Sequence, residues 1–196
     1  MDLPVFEGEV YERQDFSNGQ SIGGEPYFRG EFYTCTFRDC DFNAADLSGV
    51  SFADCTFEGC NLSVAKLDGT RLQDVYFKNC KLVGVDFSIC GDFAFSVKFE
   101  QSNLHLASFW SKIMKRTQFI DCELIETNFT ESDLSRSTFK DCDLSQAIFA
   151  STNLERADFR SARNFAIDPA SNRVKKAKFS STELAGLLYQ FDLEIE

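Results

Sequence analysis

Large hydrophobic residues recur at every fifth position in the first half of this chain. Phe or Leu occupies each fifth position from residue 32 to residue 87 without exception. A small residue usually stands two positions earlier, as in Cys35-Thr36-Phe37 and Ala45-Asp46-Leu47. This period fits neither the 3.6-residue period of an α-helix nor the two-residue period of a β-strand. It indicates a chain that buries two residues of every five and changes direction after each five-residue unit.

A longer repeat of twenty residues is superimposed on the period of five. Phe37, Phe57 and Phe77 are equivalent in it, and so are Cys40 and Cys60. Such internal repetition determines the architecture. Four sides of five residues would close one coil, and successive coils would stack at about 4.8 Å, the spacing of neighbouring β-strands. The sequence therefore predicts an all-β solenoid with columns of stacked Phe rings.

The period is interrupted between residues 88 and 98. Phe87 and Phe99 are twelve positions apart, two more than two repeats. The period then resumes in a new phase, and it predicts a second aromatic column that begins with Phe99 and Phe119 and ends with Phe159. The interruption is either a loop that a partner recognises or a tolerated insertion.

The coil that follows the interruption contains an unusual residue. Lys112 stands where small residues stand in other coils, so we expect a distorted coil around residues 110–116. Trp110 should point outward there. It is either a partner-contact residue or partly covered by a neighbouring coil.

The chain divides into three segments. Residues 1–31 are irregular and include a stretch rich in Gly and Ser, so we interpret them as an N-terminal cap or lead-in. Residues 32–163 are the repeat region, with the phase break at 88–98. Residues 164–196 form a C-terminal segment with a helix and a dimerisation function.

The predicted C-terminal helix is an α-helix over residues 180–191. Ser180 and Glu183 have the spacing of a capping box, and apolar residues follow at helical intervals. The helix either caps the open end of the solenoid or docks against a second copy. Apolar residues at the extreme terminus favour a symmetric homodimer. The predicted dimer interface consists of Leu184, Leu187, Leu188, Phe191, Leu193 and Ile195.

Composition narrows the classes of partner. The 196 residues carry a formal net charge of −11, which argues against direct nucleic-acid binding because phosphates would be repelled. No apolar run approaches the roughly 18 residues of a membrane span. The first residues also lack the basic and apolar regions of a signal peptide. We therefore expect a cytoplasmic protein without a membrane partner.

Cysteine is abundant, but its positions follow the repeat. Each of the 8 cysteines falls two residues before the five-residue beat, no Cys-x-x-Cys pair occurs, and the chain has only 1 His. This pattern favours cysteine as a small buried residue, with a zinc site or disulfides as the alternatives. We predict no metal and no cofactor.

No constellation of catalytic residues is recognisable. His105 should point outward, as a surface residue rather than a catalytic base. The sequence has no nucleophile elbow, phosphate-binding glycine loop or metal-ligand cluster. Carboxylates on the outside of a rod lack a pocket that would shift their pKa values. The sequence therefore predicts a protein that is not an enzyme.

Outward carboxylates cluster along the predicted solenoid and form a candidate partner-binding surface. The alternative is that these acids only favour the turns of the repeat. Residues 1–98 hold 16 acidic and 8 basic side chains, against 15 and 12 in residues 99–196. Basic side chains are concentrated near the predicted dimer interface. A DNA-like acidic surface would instead require acidic residues at the centre of the dimer. The candidate surface consists of Asp39, Asp41, Asp121, Glu123, Glu126, Glu131, Asp141 and Asp143.

Several five-residue units resemble the A(D/N)Lxx consensus of the pentapeptide-repeat family. The resemblance covers roughly residues 30–163 and implies a right-handed quadrilateral β-helix, with the small residue and the Phe or Leu pointing inward. The units are AADLS (44–48), SNL (102–104), SDL (132–134), TNL (152–154) and ADF (157–159).

Within that family, the chain resembles the topoisomerase-protecting branch, which includes the Qnr, MfpA, McbG and AlbG proteins. Its length, its two phases and the run from Phe165 to Glu196 are similar. The resemblance implies a homodimeric DNA mimic that binds DNA gyrase or another type II topoisomerase and protects it from quinolone-like drugs or toxins. The short insertion places the chain nearer AlbG or MfpA than the long-looped Qnr proteins. The alternative function is a structural interaction scaffold with an unrelated partner.

Overall fold

The computed structural model describes residues 9–13, 15–17, 30–191 and 193. Thirteen short strands among these residues carry the fold. They are β1 (Glu9–Glu12), β2 (Asp15–Ser17), β3 (Gly30–Tyr33), β4 (Thr36–Arg38), β5 (Ser51–Ala53), β6 (Thr56–Glu58), β7 (Arg71–Gln73), β8 (Val75–Lys78), β9 (Val97–Glu100), β10 (Gln118–Ile120), β11 (Thr138–Lys140), β12 (Asp158–Phe159) and β13 (Lys178–Phe179).

All pairings between these strands are parallel and join successive coils. One sheet has the order β1-β3-β5-β7, and the other runs β2-β4-β6-β8-β9-β10-β11-β12-β13. Partners such as Phe37 and Phe57 are twenty residues apart. Isolated parallel bridges complete the remaining sides of each coil. The parallel β-solenoid predicted from the sequence period is confirmed.

Four faces surround the core. Face A contains β1, β3, β5 and β7 and continues in parallel bridges such as that between Ile113 and Asp133. Face B is the nine-stranded sheet. Face C contains bridges such as Glu123 to Asp143, and face D contains bridges such as Ser108 to Asn128. At most corners the backbone turns through a residue with positive φ, two positions after the buried Phe or Leu.

Aromatic rings form a continuous column behind face B. Nine Phe rings from Phe16 to Phe179 stack with centroids 4.5–5.3 Å apart. Offset stacking of this kind stabilises aromatic pairs beyond their burial. The Phe77 and Phe99 rings, which lie on either side of the phase break, are 5.3 Å apart. The two predicted columns are therefore confirmed, and they form a single column through the break.

The small inward positions satisfy backbone carbonyls of the coil before. All eight cysteines are buried and free, as predicted for small buried residues. The Sγ of Cys80 donates to the carbonyl of Phe57 at 3.3 Å. Thr70 donates in the same way to the carbonyl of Leu47 at 2.8 Å. These hydrogen bonds give the backbone carbonyls a donor that a purely apolar side chain could not supply.

The phase break is a short loop between Gly91 and Ser96. The amide of Gly91 still donates to Thr70, and the amide of Ser96 donates to Leu72, so the two extra residues lie between these points. Phe93 at the tip is 85% exposed. The loop protrudes from the solenoid while the coils on both sides stay in register.

The expected distortion around Lys112 is wrong. The coil keeps its hydrogen bonds, including those from the amides of Lys112 and Met114. The Lys112 side chain is buried, and its Nζ donates to the carbonyl of Cys90 and to Asp92. The insertion brings its own acceptors to the long side chain, so the coil has no need to deform.

Paired strands lie outside residues 32–163 at both ends. β1 and β2 pair with β3 and β4, and β13 pairs with β12. The regular stack therefore includes part of the segment interpreted as a lead-in and part of the C-terminal segment.

The predicted C-terminal α-helix is wrong in type. The chain forms two 3-10 helices, Leu184–Leu187 and Tyr189–Phe191, and Glu183 makes no side-chain capping bond. The carbonyl of Gly186 accepts a hydrogen bond from Ile167, and a Cβ on Gly186 would lie 2.1 Å from the carbonyl oxygen of Phe165. Close packing on the last coils thus overrides the helical period.

Candidate partner-binding surfaces

Four predicted acids lie together on two adjacent coils. Asp121 and Asp141 occupy the corner between faces B and C, and Glu123 and Asp143 form a bridge pair on face C. We call these four residues the acidic patch. All but Asp143, which is half-buried, are exposed. Their arrangement follows from the twenty-residue repeat, which places equivalent residues about 4.8 Å apart.

Asp143 is partly neutralised within the chain. Its Oδ2 lies 3.3 Å from the Nε of Arg163, and its Oδ1 accepts hydrogen bonds from Asn164 and Ser145. Partial burial opposes ionisation, but the hydrogen bonds from Ser145 and Asn164 and the charge of Arg163 outweigh it and lower the pKa of Asp143. Asp143 stays ionised, with much of its charge already balanced.

The surface beside the acidic patch carries both signs of charge. An open groove of about 830 Å³ runs along it. Lys78, Lys81 and Arg163 line this groove together with Asp121 and Glu123. At the corner itself, the Asp121 side chain has no ion-pair or hydrogen-bond partner among the described residues.

The other predicted acids are not part of this patch. Asp39 and Asp41 lie in the same two columns but four coils earlier, which is about 19 Å away at the strand spacing. Glu126 and Glu131 occupy the next two corners around the coil. Each five-residue step moves the chain to a new face, so these two acids lie on other corners than Asp121. Glu126 instead approaches His105, with 3.3 Å between Oε1 and Nε2.

The C-terminal segment presents an apolar surface. Leu184, Leu188, Phe191 and Leu193 are all exposed. Leu187 differs, because it is partly buried and packs against the hydrophobic core. It therefore belongs to the covered end of the solenoid as well as to the predicted dimer interface. Ile195 lies outside the described residues.

An exposed apolar cluster near the phase break was only partly anticipated. Trp110 points outward as predicted and is 50% exposed, and Ile113 and Phe93 are exposed around the same corner. Ile113 forms bridges in a column where the next two coils have Asp133 and Asn153. An apolar residue in that outward column was the signal that could have identified this cluster.

The pentapeptide repeat region model matches residues 30–109 and 112–188. A trypsin-treated form of QnrB1, a plasmid-mediated fluoroquinolone resistance protein, superimposes with a TM-score of 0.61 at 17% identity, covering 97% of this chain and 100% of that chain. Full-length QnrB1 gives a TM-score of 0.53 at 18% identity, covering 95% and 98%. HetL, a pentapeptide repeat protein involved in heterocyst differentiation regulation from the cyanobacterium Nostoc sp. strain PCC 7120, gives 0.40 at 17% identity, covering 86% and 84%.

No curated protein sequence matches this chain. Among the described residues, no helix has the length and apolar character needed to span a membrane. At the identities given above, the two QnrB1 structures establish the common fold.

Proposed function

Because this chain belongs to the pentapeptide-repeat family, we propose that it binds DNA gyrase or another type II topoisomerase as a DNA mimic and protects that enzyme from a quinolone-like drug or a toxin. The observation that carries this proposal is a fold match to QnrB1 that extends over nearly the whole of both chains. QnrB1 is described as a fluoroquinolone resistance protein. The match is to a complete solenoid of similar length rather than to a few shared repeats.

The acidic patch supplies the chemistry for mimicry. Duplex DNA carries one charge per 3.4 Å along each strand, and the acidic patch places carboxylates on two successive coils about 4.8 Å apart. Asp121 and Asp141 stand at a protruding corner, where a basic protein channel can reach them. Because Asp143 is balanced by Arg163, the contribution of charge rests mainly on Asp121, Asp141 and Glu123.

The C-terminal apolar surface supports a homodimer within the same proposal. Its exposed Leu and Phe side chains lie close together in sequence, between residues 184 and 193. A surface of this type is typical of an interaction site. A two-fold dimer would place two rods end to end and double the length of the charged surface.

The test is a supercoiling assay with purified gyrase, in the presence and absence of a quinolone. We expect the protein to restore supercoiling in the presence of the drug or to inhibit the enzyme in its absence. The variant D121N/D141N should lose most of this effect. The control D54N/D68N removes the same amount of charge from other parts of the rod and should keep the effect on supercoiling. Absence of any protection, inhibition or binding would contradict the proposal.

A second candidate, an interaction scaffold with an unrelated protein partner, is favoured by the exposed cluster at the phase break. Phe93, Trp110 and Ile113 are large apolar side chains around one corner, and aromatic residues are enriched at protein interfaces. This cluster lies on a different corner from the acidic patch. A scaffold function predicts that F93S/W110S abolishes partner binding while D121N/D141N leaves it unchanged.

A further inference from the structure

A column of four cations runs along the corner between faces A and B in the C-terminal half. Each member occupies the corner position of its coil, with φ between 60° and 65°. All four side chains are exposed. We call these residues the cation column: Arg116, Arg136, Arg156 and Lys176.

Backbone hydrogen bonds hold this corner in register. The amide of Arg116 donates to Ser135 at 3.0 Å, and the amide of Arg136 donates to Glu155 at 2.9 Å. The amide of Arg156 continues the series to the next coil. Neighbouring members of the cation column are therefore about 4.8 Å apart, and the column is roughly 14 Å long.

The charge of the cation column is not cancelled within the described part of the chain. None of its four side chains makes an ion pair or a hydrogen bond with another described residue. The nearest acids already have partners. Asp133 pairs with Lys115 at 3.4 Å, and Glu155 pairs with Arg173 at 2.7 Å. The corner thus presents a positive surface in a chain whose net charge is −11.

The surroundings of the cation column indicate the class of ligand. The groove beside it, about 630 Å³, is lined by four cations, by the paired acids Asp133 and Glu155, and by the polar Ser135 and Asn153. On the side of face B, the neighbouring outward column consists of Gln118, Thr138, Asp158 and Lys178. Its one carboxylate, Asp158, is paired with Arg160 at 2.7 Å. A stable protein interface needs an apolar, aromatic centre, and the groove lining contains no such side chain. Interfaces with nucleic acid are more polar and more positive.

We propose that the cation column binds the phosphate backbone of duplex nucleic acid without reading its base sequence. Arginine presents a planar fork of donors that matches a phosphate group. Single strands are bound largely by stacking bases on aromatic side chains, which the lining of this groove does not supply. A straight row of cations on a rigid scaffold suits a regular row of phosphates.

The acidic composition of the chain limits this binding but does not prevent it. The Debye length is about 10 Å at 0.1 M salt, so charges on distant faces and coils are largely screened at the cation column. The repulsion of phosphates that the net charge predicts applies to the surface as a whole. The fold separates the charges, because it places cations from four coils in one line.

The test is fluorescence anisotropy with a labelled duplex of about 20 base pairs, roughly two helical turns. We expect a dissociation constant on the order of 10⁻⁵ M near 50 mM salt, typical of sequence-independent binding. With four phosphate contacts, log K should fall with log salt at a slope of about −3.6, or ~100-fold between 50 and 200 mM.

The variant R136Q/R156Q should bind at least about tenfold more weakly and reduce the slope to about −1.8, because two contacts are lost. Gln already occupies the equivalent corner conformation at positions 101 and 146, so the variant should fold. The control K66Q/K81Q removes the same charge from faces D and C and should bind like the parent chain.

Four results would overturn the proposal. The first three are no duplex binding near 50 mM salt, equal weakening by the control variant, and tighter binding of a single strand of the same length. Tighter binding of poly-glutamate than of duplex would also overturn it and would assign the cation column to an acidic protein partner. The assay contains no topoisomerase, so its outcome is independent of the proposed function.

Discussion

The Nζ of Lys112 donates a hydrogen bond to Oδ1 of Asp92 at 2.7 Å, joining a lysine that is 2% exposed to a carboxylate that is 87% exposed. Asp92 belongs to the inserted loop and Lys112 to the following coil. The same Nζ lies 5.2 Å from the ring centroid of Phe95, where a cation and an aromatic face attract each other. The buried lysine therefore fastens the loop to the solenoid.

Removing that lysine should open the loop. In K112S the charge-assisted hydrogen bonds of Lys112 disappear. We expect closure of the loop to become less favourable by about 1.5 kcal/mol, and the fraction of molecules with an open loop to rise roughly tenfold. Limited chymotrypsin digestion at Phe93 or Phe95 measures this directly. The control K115S changes an exposed lysine of the same coil and should leave cleavage unchanged. Equal cleavage of K112S and the parent chain would show that the ion pair does not hold the loop.

The cysteine thiols should be unreactive in the native protein. Burial raises the pKa of Cys55 to about 12, and burial also raises the pKa of Cys90 to about 12 although Lys112 opposes the shift. Because the thiolate is the nucleophile, Cys55 and Cys90 are scarcely ionised at neutral pH. Burial keeps the reagent from the other thiols, including Cys122, whose pKa is lowered by its hydrogen bond with Cys142. Ellman's reagent should label none of them rapidly in the folded state and all eight after unfolding. Rapid labelling of any cysteine in the native protein would contradict the burial.

The Asp158–Arg160 ion pair should make stability depend on pH in the acid range. The hydrogen bond from Arg160, opposed by partial burial, lowers the pKa of Asp158. A lowered folded-state pKa stabilises the protein above the unfolded-state value of about 3.9, and this stabilisation is lost as pH falls through the folded-state value. D158N should cost up to about 1 kcal/mol at pH 7.

Urea unfolding of D158N and the parent chain at several pH values tests this. The difference in free energy of unfolding should be constant from neutral pH down to about pH 5 and should shrink below about pH 4. A difference that stays the same in acid would assign the effect to lost packing rather than to charge.

The proposed homodimer depends on the exposed apolar residues of the C-terminal segment. L188D/F191D should give a monomer, because each substitution places a charge in a surface that would be buried between two copies. Light scattering after size-exclusion chromatography measures the mass. The control I113D introduces a charge at an exposed apolar residue far along the chain and should remain dimeric. A parent chain that is already monomeric would contradict the dimer.

Gly186 should tolerate no larger residue. In G186A the new Cβ would lie 2.1 Å from the carbonyl oxygen of Phe165 and 2.8 Å from its ring, so the 3-10 segment must move. Overpacking of this kind costs about 1–3 kcal/mol, which thermal unfolding detects. G91A is the control, because the nearest atoms to its Cβ are 3.6 Å away. Equal stability of the two variants would show that the segment is not tightly packed.

The regular part of the fold was predictable because one rule repeats. The positions of Phe37, Phe57 and Phe77 define a period of twenty, and stacked coils are the arrangement in which that period places like residues together. The number of coils and the column in which each residue lies follow directly from this period. The acidic patch on adjacent coils follows for the same reason.

The misjudged features depend on contacts that break the repeat. Lys112 looked disruptive in sequence, but an acceptor that comes from the insertion twenty residues earlier accommodates it. Leu184 and Leu187 have helical spacing, yet the close approach of Gly186 to Phe165 selects a tighter helix. The cation column was visible as separate basic residues, and only the corner geometry shows that they form one line.

The continuous stack of nine Phe rings has a mechanical consequence. Each coil contacts mainly the coils directly before and after it, so the rod behaves as a one-dimensional chain of coupled units. Tension applied between its two ends should detach coils one at a time from the termini inward. Among the described coils, the two that the Lys112–Asp92 ion pair joins carry a side-chain link through the insertion, so unravelling should pause there and divide the extension trace into two stages.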